Sequence, residues 1–485
     1  MIQFGEWLPD QPTLNNPGAT VAMNVTPAAK GYRSVRDLAY IDNTSTGVSL
    51  NGCYAAKTPA ASYLFAGGAT AIYKYDSVTA AYENVSSNTS TYTSCQWRFT
   101  TFGDAVIGVC GDSTDTQSYT MGSSTDFDAL AGTPPRARFV ATVRDFVMTG
   151  YVTYGGTTYP RRLRWSALDS AVSWTIGTSL ADIQDLADAG SITGLHGGEE
   201  AMILLERGIY KGYFTGDPNT VFQFDRISVD RGMPYAAASA QIGGTVFFLS
   251  DDGFYSLTGT TLNPIGDEKV DEWFAAQFDI AKSANLSCSI DPIQKLVCWA
   301  FTSNDSTNGE NDKIIFYHYA LNRWSYAVMR ADVLFPLYMP GYTLEGLDLI
   351  SSSIDTLEIT LDDPALAGGD YAFAAAIDQR LATFSGSPLE GVVETAEFGE
   401  QQNVLVRKVY PLTDGATASG VSVALSYRQS QQDAPTWGST ATMVSAGWIP
   451  TRSAGRYHRA RLAISGENWT LAQGINVEAV PIGWR

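Results

Sequence analysis

Three histidines, five cysteines and a few acidic doublets are the residues of this sequence whose chemistry is worth testing first. His196, His318 and His458 each stand alone: none has a second His or Cys at metal-ligand spacing, and neither a G-x-S-x-G elbow nor a phosphate-cradling glycine loop occurs. Ser/His/Asp and zinc hydrolysis therefore lack their residues. His318 lies inside IFYHYALNRW, where strand alternation sends it to one sheet face as a packing or surface residue. The doublets Asp251 and Asp252, Glu199 and Glu200, and Asp362 and Asp363 matter because glycosidases work with paired carboxylates. Each doublet adjoins Gly or Pro, which marks a turn where Asp bonds to backbone. SDDG also departs from the S-x-D-x-G spacing of sialidase boxes. The expectation is no enzyme: no catalytic residue, no cofactor and no metal ligand.

Cys53, Cys95, Cys110, Cys288 and Cys298 are odd in number and lack metal spacing. They read as reduced, buried thiols, with Cys288 and Cys298 placed to face each other across a hairpin as the alternative. The basic run is more informative. Arg452, Arg456, Arg459 and Arg461 enclose Tyr457 and His458, and on a strand Tyr457, Arg459 and Arg461 share one face while Ala460 and Leu462 point away. Such a face meets phosphate, faces solvent, or docks an acidic neighbour; Arg161, Arg162 and Arg164, and Arg136 with Arg138, pose the same choice. Charge placement favours docking. Of 31 Lys/Arg and 50 Asp/Glu, residues 401–485 hold 8 and 4, so a body of −23 carries a tail of +4. A surface that acidic repels phosphate, which argues against tight nucleic-acid binding across it.

These residues must be held by short strands. Apolar or alternating runs of four to eight residues, among them Ala105–Cys110, Met202–Leu205, Thr245–Leu249 and Leu296–Phe301, are bounded by Gly, Asn, Asp or Pro. Two segments carry helical signals: Leu180–Ala189 with Ser179 as cap, and Glu268–Phe278 with Asp267 as cap. Aromatic strands recur around Tyr75, Tyr119, Trp165, Tyr210, Tyr255 and Tyr317, and the steps Trp165 to Tyr210 and Tyr210 to Tyr255 are both 45 residues. A period of about 45 matches one four-stranded propeller blade. The longer step to Tyr317 contains the polar tract Ser303–Asp312, read as a loop, and RLATFSG at Arg380–Gly386 supplies a seventh anchor. The fold class is all-β: a six- or seven-bladed β-propeller over residues 36–387, an extended N-terminal arm over 1–35, and a C-terminal β-sandwich over 388–485 serving assembly. A multi-sheet β-sandwich array is the alternative. With 485 residues, 12% aromatic content and 17% charged residues, the chain has ample core. No apolar run approaches a membrane span, and MIQFGEWLPD has no basic or apolar signal region, so no secretory address is expected.

Five phrases carry a resemblance: FGEWLPDQPTLNNPGATVAMNVTPAAKGYRSV (Phe4–Val35), PPRARFVATVRDF (Pro134–Phe146), RLRWSALDSAVSW (Arg162–Trp174), VDRGMPYAAASAQIGGTVFFLSDDGFYSL (Val229–Leu257) and AGRYHRARLAISGENWTLAQGINVEAVPIG near the end. Together they resemble tail hub or nozzle proteins of short-tailed bacteriophages, also called packaged-DNA stabilisation proteins. The resemblance implies a β-propeller subunit assembled as a homohexameric ring below the portal and adaptor. Such a ring encloses the DNA exit channel without sequence-specific binding, retains packaged DNA and permits its ejection. It implies a place in the virion tail, assembly in the bacterial cytoplasm, and no catalytic residues. The expected interface residues are Trp7, Pro9, Arg452, Arg456, His458, Arg459 and Arg461. Two other classes compete with it: a tail-fibre or receptor-binding propeller, and a propeller glycoside hydrolase.

Overall fold

The computed structural model describes residues 1–482 apart from 43, 59–60, 78, 89–91, 339–370 and 467–468. Seven four-stranded antiparallel units stand in a ring, numbered here along the chain. Six are separate sheets, and the sixth in order is the edge of a larger one. Units 1 to 5 begin with the strands Leu50–Lys57, Arg98–Phe102, Arg136–Val143, Ile192–His196 and Ser239–Ile242 and run outward through three more. Unit 6 comprises Ser287–Asp291, Leu296–Phe301, Lys313–His318 and Arg323–Val328. Unit 7 comprises Val333–Tyr338, Tyr371–Ile377 and Arg380–Thr383, completed by Ala39–Tyr40 from before unit 1. Side chains stitch neighbours together: Tyr54 to Thr101, Thr100 to Thr142, His196 to Ser239, Trp299 to the Ala238 carbonyl, and Ser287 to the Leu334 N–H.

Stacking explains the sequence. A sheet covered by neighbours on both faces needs apolar residues at successive positions, and Leu296–Phe301 is buried at all six. Each aromatic anchor, Tyr75, Tyr119, Trp165, Tyr210, Tyr255 and Tyr317, lies in the third strand of its unit, and Arg380–Thr383 is the third strand of unit 7. The period of 45 residues therefore marks one structural position. Turns are equally legible: Gly155 and Gly156 join Tyr154 to Thr157 with φ of 61° and 80°, the backbone a two-residue hairpin requires. The tract Ser303–Asp312 is the loop between the second and third strands of unit 6.

The C-terminal strands Gly391–Thr395, Phe398–Asp414, Val421–Arg428, Ile449–Ile464 and Leu471–Pro481 form an all-β unit within a 15-stranded sheet. Val406, Val421, Leu425, Leu462 and Ile475 line its interior. Four strands from the first 35 residues, Ile2–Gln3, Ala19–Met23, Val25–Ala28 and Gly31–Ser34, are woven into that sheet. Ala19–Met23 pairs with Gly391–Thr395 on one side and touches Tyr326 of unit 6 on the other, joining the ring to the C-terminal strands. Trp7 is wholly buried between Trp273 and Tyr326, with ring centroids 4.8 and 5.0 Å away.

Helix is nearly absent, and one expected helix is a strand. Within Leu180–Ala189, Asp182–Asp185 pairs with Arg162–Trp165 as the outer strand of unit 3, and Ser179 and Leu180 take positive φ. A weak local signal of one or two turns yields there to an open sheet edge. The other helix forms over Asp271–Gln277 with Phe274 buried, but Asp267 does not cap it. Asp10 does, accepting hydrogen bonds from the N–H groups of Glu272 and Trp273 at 2.9 and 2.8 Å. The cysteine reading also needs correction: Cys95 and Cys110 form a disulfide, while Cys53, Cys288 and Cys298 are free. Cys288 stands opposite Trp299 and Cys298 opposite Ser289, so these two are not cross-strand partners.

Candidate functional site

The first strands of all seven units converge on an axial cavity of about 500 Å³. It is lined by Asn51, Cys53, Arg98, Phe139, His196, Ser239, Cys288 and Asp332, among others. Its wall is mixed in chemistry. On the side of units 6 and 7, Arg330 is surrounded by Glu310 at 3.0 Å, Asp332 at 3.3 Å, and Asp378. On the side of units 2 and 3, Arg98 lies 4.5 Å above the Phe139 ring and donates to the Arg138 carbonyl at 3.3 Å. Burial pushes the pKa of Arg98 down to about 10, and the neighbouring Arg138 guanidinium acts in the same direction.

His196 faces this cavity with Nε2 2.9 Å from the Ser239 hydroxyl. Burial lowers its pKa to about 4, so the ring is neutral near pH 7 and bridges two units as a hydrogen-bonding group. Among the described residues no group of three His, Cys, Asp or Glu side chains could hold a metal ion.

Among the described residues the carboxylate doublets do not meet at the axis. Asp252 accepts from Arg231 and Tyr255, Glu200 pairs with Lys211, and Glu199 stands 3.9 Å from Arg144. Asp362 and Asp363 lie outside the described residues. The arginine groups of unit 3 are occupied within the chain: Arg162 binds Asp185 through two nitrogens, Arg161 reaches the Ala187 carbonyl, and Arg164 is buried against Trp174. Arg136 pairs with Asp115, and Arg138 with Asp112.

On the C-terminal basic strand the alternation is as expected: Ala460 and Leu462 are buried while Arg461 is exposed. Arg459 and Arg461 both engage the buried Glu394, and Arg461 stacks 4.3 Å over Trp437. His458 is interior, with its ring 3.2 Å from both the Ser453 hydroxyl and the Gly455 carbonyl, and burial lowers its pKa. Of the residues expected at an interface, Trp7 and His458 therefore serve the chain's own core. Pro9 is half-buried, Arg459 is tied to Glu394, and Arg452 and Arg456 are exposed. Sequence reasoning missed Arg98 and Asp42. Arg98 had a signal, an arginine in the aromatic phrase QWRFT at a strand start; Asp42 had none.

No protein-family profile and no curated protein matches the chain. Among solved structures, the extracellular domain of a hybrid two-component system from B. thetaiotaomicron aligns over 83% of this chain and 47% of its own length, with a TM-score of 0.41 and 7% identity. This chain thus spans about half the length of that protein. BBS1N, solved in complex with ARL6DN, aligns over 72% of this chain and 96% of its own, with a TM-score of 0.39 and 10% identity. Similarities of this size leave function to the residues themselves.

Proposed function

We propose that this chain is a structural subunit of a ring-shaped assembly, the tail hub or nozzle of a short-tailed bacteriophage, packed around a DNA exit channel. The observation that carries the reading is continuity. Ala19–Met23 joins unit 6 to the C-terminal strands within one sheet, and one apolar core runs from Phe254 and Trp299 through Trp7 to Leu462 and Ile475. Force applied to the C-terminal unit is thereby transmitted to the ring through paired backbone rather than through a linker. The acidic body favours passage of a polyanion without capture. Arg452 and Arg456, exposed on the basic C-terminal unit, suit an acidic neighbouring copy, and a closed ring uses such unlike surfaces.

Particle mass and shape in solution test this directly. A closed ring around an axial pore is expected, and Arg452→Glu with Arg456→Glu should impair ring formation while leaving thermal unfolding within a degree or two, because both side chains are solvated. A chain that stays monomeric in purified tails, or forms a trimeric peripheral projection, would overturn the reading in favour of a receptor-binding module. Turnover of a glycan would overturn it in favour of a hydrolase.

A further inference from the structure

Two arginines in the axial cavity invite comparison. Arg330 has three carboxylates around it, whereas Arg98 has no carboxylate partner among the described residues. The charge nearest Arg98 is another cation, Arg138, whose own carboxylate, Asp112, sits 2.9 Å from its outer nitrogen. In a chain of net charge −19, a recessed guanidinium beside a second guanidinium is a costly arrangement unless something anionic completes it.

The surroundings are built for a ligand. A second recess of about 580 Å³ lies beside the axial cavity, and the two share Gln96, Arg98, Phe139 and Thr193 as lining. Both volumes fall in the range of small-molecule sites. Arg98 lies over Phe139, which fixes its guanidinium plane, and Arg138 lies 3.8 Å over Tyr151 with an outer nitrogen on Asp112, so the donor edge offered to a ligand is that of Arg98. The Cys95–Cys110 disulfide, with Cys110 in the lining of the second recess, holds the start of this wall in place. Two carboxylates line the same recess, Glu206 on the unit 4 side and Asp112 against Arg138, so the anionic head belongs on Arg98, in the lining shared with the axial cavity.

We propose that the confluence of these two recesses binds a small oxyanion-bearing molecule, a carboxylate or a phosphate, seated on the Arg98 guanidinium. A planar fork of N–H donors matches either group through two parallel hydrogen bonds. Gln96, in the lining common to both recesses, offers an amide for orientation.

Calorimetric titration of the full chain with sodium citrate and, separately, sodium phosphate, at ionic strength held constant with NaCl, tests the site. Saturable binding in the millimolar range or tighter is expected for at least one anion. Citrate alone identifies a carboxylate site, phosphate alone a phosphate site, and both a general oxyanion site. Arg98→Gln should weaken binding at least about tenfold, Arg98→Lys should weaken it several-fold because the charge stays and the fork is lost, and Arg456→Gln should change nothing. If Arg98→Gln does not fold, Arg98→Lys decides: native affinity in that variant overturns the proposal. Heat that never saturates with either anion also overturns it.

Discussion

Units 6 and 7 stand side by side in the ring, yet they are fastened by different physics. Unit 6 is held from outside by apolar packing: Trp7 fills the space between Trp273 and Tyr326, and the strand Ala19–Met23 extends the sheet. Unit 7 is closed by a two-residue strand, Ala39–Tyr40, whose few backbone bonds are supplemented by one polar clasp. Asp42, with its side chain fully buried, accepts hydrogen bonds from Arg380 at 2.6 Å, from the Leu381 N–H at 2.9 Å, and from the Tyr82 hydroxyl of unit 1. The contrast follows from what each joint must specify. Burial is strong but non-directional, which suits a broad junction between two bodies. Ring closure must choose one partner and one register, and a buried carboxylate satisfied by three donors at fixed angles achieves that.

The largest effect should come from emptying the apolar joint. Trp7→Ala removes a wholly buried indole and should lower unfolding free energy by about 4 kcal/mol, read from the denaturant midpoint at unchanged slope. If the two joints were equivalent in kind, Trp7→Phe would be as damaging; recovery of more than half the loss by Phe is expected instead. Breaking the clasp comes next. Asp42→Ala removes the carboxylate shared by Arg380, the Leu381 N–H and Tyr82 and should cost about 3 kcal/mol, somewhat less than a fully buried pair because Arg380 keeps partial solvent access and the Asp42 carbonyl, and the Leu381 N–H keeps the Tyr82 hydroxyl. Hydrogen exchange should locate the difference: faster exchange in Arg380–Thr383 and Tyr371–Ile377 for Asp42→Ala, and in Ala19–Met23 for Trp7→Ala. Equal spreading of both effects through the ring would erase the distinction.

A titrating group sharpens it further. Asp271, at the start of the helix beside the Trp7 joint, accepts from the Phe254 N–H at 3.1 Å, and burial raises its pKa to about 7, with Asp10, Asp267 and Asp252 adding repulsion. Its folded pKa exceeds the unfolded value near 4, so the folded state holds the extra proton between those limits. Stability therefore falls as pH rises from about 4 to 7, by roughly 2–3 kcal/mol once partial solvent access is allowed for. Asp10 is raised by burial as well and acts in the same direction. Asp271→Asn should flatten that slope and leave the polar clasp of unit 7 untouched.

How much of this was legible in the sequence depends on the reach of each interaction. The third-strand aromatics from Tyr75 to Tyr317 repeat because each unit must fill the same space against its neighbour, so spacing alone exposed the ring. The exposed and buried faces around Arg459 and Arg461 followed from alternation. Pairings that depend on register or on distant segments left no such trace: Asp42 with Arg380 and Asp10 with the helix start join segments far apart in sequence, and Cys95 with Cys110 depends on the register of the first hairpin of unit 2, which sets Arg98 opposite Val109. The strand Asp182–Asp185 was lost for the same reason, since its four residues gain their conformation from Arg162–Trp165 rather than from their own preferences. The C-terminal boundary was half legible. Its all-β character was expected, but the share of that sheet drawn from the first 35 residues depends on contacts more than 350 positions apart, such as Asn24 with Glu390.

The smallest expected effect is the most discriminating. Glu6 lies beside the Trp7 joint and pairs with Lys269 at 2.7 Å, so a reader counting ion pairs would credit it with holding the N-terminal segment in place. Both side chains keep about a quarter of their surface, 22% for Lys269 and 27% for Glu6, and Lys269 also donates to the Asn322 carbonyl. A partly solvated pair of this kind contributes less than about 1 kcal/mol, because the attraction is offset by desolvation and side-chain ordering. Glu6→Gln should therefore shift the denaturant midpoint barely, with a small further loss of any effect in high salt. A cost approaching that of Trp7→Ala would mean that unit 6, like unit 7, is held by a directional polar contact, and the difference between the two joints would be one of size alone.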